Sequence, residues 1–165
     1  MTEEADFDAA DLLVRDFLRT ATPQQRHAYV CGTNLDDGTA LVEVVLDDPT
    51  TDRATALAAY WLLGAGYYAQ YASVDDAADY ERPRWELLRR IEDRFLAGEY
   101  ADHGIGFDPT DDDGDDWTED YLDDEPVARA IPPAMLVAAP GEPVEGETED
   151  GLPLDVYERY AALVG

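Results

Sequence analysis

Asp48-Pro49-Thr50-Thr51-Asp52-Arg53-Ala54-Thr55-Ala56-Leu57-Ala58-Ala59-Tyr60-Trp61-Leu62-Leu63-Gly64 contains a turn, a helix start, a helix body and a helix stop in that order. Asp48 to Asp52 supplies the turn and an N-cap, because a carboxylate there accepts from the unpaired N–H groups of a first helical turn. Ala54, Leu57, Ala58, Trp61 and Leu62 recur at helical spacing and give one buried face. Gly64 ends the run.

The same grammar extends outward. Pro83 opens a second strong helix in which Trp85, Leu88, Ile91, Phe95 and Leu96 take one side. Arg84, Glu86, Arg89, Arg90, Glu92 and Asp93 take the other, up to Gly98. Upstream, Asp8 to Arg19 carries the stripe Leu13, Val14, Phe17 and Leu18, extended by Phe7, with Asp6 or Asp8 as cap. Thr22-Pro23 starts a shorter helix to about Val30, with Thr at the N-cap and Pro at the first helical position. Thr39 to Leu46 is ambiguous, since its near-continuous apolarity fits a strand or a buried helix. The reading is a mainly α fold with at least five helices and no large parallel sheet. Trp61, Leu57, Trp85, Ile91 and Phe17 are expected in its core.

Charge divides the chain. Its 39 acids face 11 Arg and no Lys, for a net charge of −28. Residues 1–100 hold 20 acids and 9 Arg, and residues 101–165 hold 19 acids and 2 Arg. The expected domains are a helical part over 1–109 and an acidic, Pro- and Gly-rich extension over 110–165, with Gly141 to Gly151 as loop. Leu154 to Leu163 reads as a terminal helix that docks on the core. This charge argues against nucleic acid and anionic membranes as partners. It favours a basic protein, whose approach it would steer. A single cysteine, Cys31, and the polar start Met1 to Asp6 suit a cytoplasmic protein.

Leu35-Asp36-Asp37-Gly38, Asp48-Pro49, the Asp52–Trp61 helix and Gly66-Tyr67-Tyr68 together resemble the bacterial domain-of-unknown-function family 4274. The resemblance covers about residues 17–71, with a weaker echo to 109. Leu35 stands where that family usually has Trp, and Thr51 where it often has Cys, which argues against a metal or thiol role at those two positions. The family implies stacked helix hairpins, α-solenoid-like or an irregular bundle, and so favours helix for Thr39 to Leu46. It implies no activity.

The side chains give no catalytic, metal or cofactor site. Asp36, Asp37 and Asp52 read as turn and cap residues. The Tyr60, Trp61, Tyr67 and Tyr68 group reads as packing, with Tyr68 or Tyr71 as its exposed member. His27 and His103 lack metal-ligand spacing, and the sequence identifies no base to activate Cys31. Asp111 to Asp116 fails as a calcium loop, because Pro109 falls at its first ligand position. No cofactor is expected.

Asp108 to Glu125 holds eleven acids and no base. Trp117, Tyr121 and Leu122 interrupt it, which suits an interface in which aromatics anchor and acids steer. The expected contact residues are Asp112, Asp113, Asp115, Asp116, Trp117, Asp120, Tyr121, Asp123 and Asp124. The function expected is a small acidic binding protein, of immunity or antitoxin type, that neutralises a basic partner. The alternative is a stand-alone helical scaffold whose acidity reflects adaptation to salt or to a GC-rich genome. An enzyme is less expected.

Overall fold

A computed structural model describes residues 8–119 and 127–164. The protein is mainly helical. It comprises two compact units, one of residues 1–51 with 144–165 and one of residues 52–143.

The first unit contains α1 (Ala9–Thr20), α2 (Pro23–Gly32), α3 (Ala40–Leu46), a two-strand antiparallel hairpin of β1 (Thr148–Glu149) and β2 (Leu152–Pro153), and α7 (Leu154–Val164). The Asp8 side chain caps α1. Thr22 and Gln25 form a capping box at the start of α2, with Pro23 behind the cap. The ambiguous segment Thr39 to Leu46 forms helix α3 with Thr39 at its N-cap position, as the resemblance implies. Val14, Leu18, Val42, Val45 and Leu46 are buried where α1 meets α3. The terminal helix α7 packs on α1, as the sequence suggests. β1 and the turn lie inside the stretch read as loop, Gly141 to Gly151, β2 follows directly after it, and the hairpin rests on α2. Gly151 (φ 81°) makes that possible, since a Cβ there would sit 2.7 Å from the Tyr29 carbonyl oxygen.

Arg26 is the polar tie of this unit. It is 4% exposed. Its guanidinium donates to the Leu18 carbonyl at 3.0 Å, the Arg19 carbonyl at 3.3 Å, Thr50 Oγ1 at 2.7 Å and Asp48 Oδ2 at 3.0 Å. Two carbonyls that the end of α1 leaves unpaired thereby find donors.

The second unit contains α4 (Arg53–Leu62), α5 (Ala65–Tyr68) and α6 (Arg82–Leu96), followed by a less regular segment. Helix α4 packs on α6 and is buried along nearly all its length, Leu57 at 0% and Trp61 at 2% exposure. A fully buried side chain of Leu size contributes ~1.5–3 kcal/mol. Trp61 Nε1 also donates to the Met135 carbonyl at 2.8 Å. Asp52 is wholly buried, accepting from the Ala54 N–H at 2.7 Å and the His103 N–H at 2.5 Å. The Ile105-Gly106-Phe107 piece is extended and bridges to Glu142 and Ala139.

Several side-chain expectations are corrected. Phe17 and Trp85 are half-buried, whereas Trp61, Leu57 and Ile91 are core. Leu96, read as apolar face, is exposed because α6 ends there. Glu92, read as polar face, is 3% exposed and pairs bidentately with Arg129 at 2.8 Å through both oxygens. Tyr67 is the exposed ring at 46%, while Tyr68 and Tyr71 are half-buried. Its hydroxyl donates to Glu81 at 2.7 Å, beside that of Tyr71 at 2.9 Å. Those two donors hold the Glu81 carboxyl below its ordinary pKa.

Candidate functional site

The expected contact loop folds back on itself. Asp108 accepts from the Thr110 N–H and hydroxyl, and Asp111 from the Gly114 N–H. Asp112 and Asp115 form a backbone bridge, with Asp113 and Gly114 at positive φ between them. Asp116 accepts from the Thr118 N–H and hydroxyl. Trp117 is half-buried, and its indole N–H donates to Asp112 Oδ2 at 3.0 Å. Asp111, Asp113 and Asp115 stay exposed. Asp120, Tyr121, Leu122, Asp123 and Asp124 lie outside the described residues.

A second acidic feature belongs to the first unit. A cleft of about 400 Å³ opens among α1, α2, α3, the hairpin turn and α7, a volume within the range of small-ligand sites. Val14, Leu41 and Leu152 give it an apolar lining, and Tyr29 and Tyr160 give it aromatic walls. Asp11, Asp37 and Asp150 bring carboxylates to it, with Thr33 and Asn34 as further polar groups. None of the described lining residues is basic.

Each carboxylate has a local reason for its place. Asp11 sits in the first turn of α1, its N–H bonded to Asp8 Oδ1 at 2.9 Å. Asp37 closes a 3-10 turn, Leu35–Asp37, that the Asn34 side chain caps. Asp150 occupies the hairpin turn at φ 50°, which Asp tolerates better than most residues.

Their fields overlap in the cleft. Burial and the charge of Asp8 push the Asp11 carboxyl above its ordinary pKa. Burial, then the charges of Asp11, Asp150, Asp8 and Asp37, push the Tyr160 phenol up. Burial does the same to Tyr29, opposed by the Thr33 hydroxyl beside it. Such a site favours a cation with an apolar body, because a positive charge there would stabilise the ionised forms that burial and the neighbouring acids disfavour.

A third arrangement corrects the reading of Cys31. His27 lies one turn earlier on α2, its Nε2 3.6 Å from Cys31 Sγ. The thiol therefore has a base beside it, and i, i+4 spacing on a helix was the signal that gave it. Among the described residues no group of three or more His, Cys, Asp or Glu side chains converges to hold a metal ion. Nor is any described helix long and apolar enough to cross a membrane.

Residues 21–96 match the family model described as Domain of unknown function (DUF4274), the family that the sequence resembles. The matched region contributes Tyr29, Thr33, Asn34, Asp37 and Leu41 to the cleft. Asp11, Asp150, Leu152 and Tyr160 come from outside it. No curated protein and no solved structure matches the chain.

Proposed function

We propose that the chain is a binding protein for a basic protein partner, and that the cleft of the first unit receives one of the partner's cationic side chains. The observation that carries this reading is the cleft itself, in which Asp11, Asp37 and Asp150 meet two tyrosines without a basic lining residue. A guanidinium suits it best. Its planar face stacks on tyrosine while its N–H groups reach carboxylates. The exposed Asp111, Asp113 and Asp115 act at longer range, raising the association rate of a positive partner. Neutralisation of a basic enzyme by a small acidic protein, the immunity or antitoxin type, is the specific form that the net charge of −28 supports. In this reading the protein works in the cytoplasm.

The salt-adaptation reading has its own support, because the acids are shared evenly. The first unit has 17 acids and 4 Arg, the second 22 acids and 7 Arg. It expects stability to climb with salt and no basic partner. Capture from native-cell extract separates the two. The wild type should retain a basic protein at low salt and release it as salt rises, since screening shortens from about 30 Å at 0.01 M to about 3 Å at 1 M. Asp11→Asn with Asp150→Asn should abolish retention, while Asp113→Asn with Asp115→Asn should only slow it. Equal loss in both variants, or no retained basic protein, overturns the proposal.

A further inference from the structure

We propose that Cys31 is a modification site, a thiol that His27 deprotonates for exchange with a neutral or cationic low-molecular-weight disulfide. The two residues lie on one face of α2, four positions apart, with Nε2 and Sγ 3.6 Å apart. Their exposures are opposite. Cys31 is open to solvent, while His27 is 7% exposed. Reagent therefore reaches the sulfur directly, while the surrounding protein holds the imidazole in place.

The exchange balances without a further reactant. His27 Nε2 takes the Sγ proton, and the thiolate attacks one sulfur of the incoming disulfide. A new S–S bond forms at Cys31 and the old one breaks. The departing sulfur leaves as a thiolate and recovers a proton from the His27 imidazolium. The thiolate is the nucleophile in such exchange, so a neighbouring base raises the rate by raising its population.

The charges around the pair set reagent preference. The hairpin that packs on α2 carries Glu149 and, in its turn, Asp150, with Glu147 just before it. Arg26 is the one guanidinium on α2, and it is committed to Asp48, Thr50 and two carbonyls. With the net charge of −28, the hairpin acids attract cationic disulfides and repel anionic ones.

The test uses the full chain at pH 7, in which Cys31 is the only thiol. The neutral reagent 4,4′-dithiodipyridine should react with native protein at least as fast as with the urea-unfolded chain. His27→Gln should slow the native reaction about tenfold, and mass spectrometry should find one mixed disulfide. Cystamine, a dication, should outpace the anionic 5,5′-dithiobis(2-nitrobenzoate), by a ratio that falls as salt rises. A His27→Gln rate equal to wild type overturns the proposal. If that variant does not fold, the native-to-unfolded rate ratio decides, and a native rate well below the unfolded one overturns it.

Discussion

The cleft of the first unit and the acidic loop of the second are both made of aspartates, yet their carboxylates are in different situations. In the loop, Asp108, Asp111, Asp112 and Asp116 accept from backbone N–H groups, hydroxyls or the Trp117 indole. In the cleft, Asp11, Asp37 and Asp150 face a shared cavity, where burial and the charge of Asp8 raise the Asp11 pKa, and burial followed by the charges of Asp11, Asp150, Asp8 and Asp37 raises that of Tyr160. Acidity alone therefore does not mark a binding surface. What separates the two regions is how their carboxylates are engaged: those four loop aspartates hold hydroxyl, indole or N–H donors within the loop, whereas in the cleft Asp11 holds the Asp8 N–H and shares an open cavity with Asp37 and Asp150.

That contrast can be broken by substitution, because bonded carboxylates should cost stability when removed and cleft carboxylates should not. The largest effect belongs to the ion pair of the second unit. Arg129→Ala leaves Glu92, 3% exposed, without its bidentate partner. Urea denaturation should show a loss of about 3–5 kcal/mol. Asp52→Ala comes next, since it strands the N–H of the buried Ala54 and removes the acceptor of the His103 N–H. A loss of about 2–3 kcal/mol is expected from the two together.

Asp112→Ala in the loop removes one acceptor, from a half-buried indole. It should cost about 1 kcal/mol and shift the Trp117 fluorescence. The smallest effect, with opposite sign, is Asp11→Asn. A carboxyl whose folded pKa is raised loses stability on ionising, so the substitution should stabilise by up to about 0.5 kcal/mol at pH 7. The gain should vanish as pH falls through the raised pKa, where the wild-type carboxyl is already protonated. Destabilisation by Asp11→Asn matching that of Asp112→Ala would erase the distinction between the regions.

The helices were legible in the sequence because their signals are local. Thr22-Pro23, Asp52 and Gly64 lie within a turn of the elements that they start or stop. The cleft was not legible, because Asp11, Asp37 and Asp150 are brought together only by the return of the hairpin and α7 to α1 and α2. Glu92 was misread for the same reason. Its partner Arg129 is 37 residues away, and helical periodicity reports a face without reporting what covers it. The pairing of His27 with Cys31 was available from spacing alone, once both are placed on one helix.

The central claim, that the cleft and not the acidic loop takes the cation, is tested most directly by titrating agmatine, a guanidinium on an alkyl chain, into the protein and following amide and tyrosine resonances by NMR. Saturable shifts should centre on Tyr29, Tyr160, Asp37 and Leu152. They should weaken as pH falls through the raised pKa of Asp11 and disappear in Asp11→Asn with Asp150→Asn. Asp113→Asn with Asp115→Asn should leave them unchanged. Shifts spread over both units without saturation, or persisting in the cleft variant, would contradict the claim.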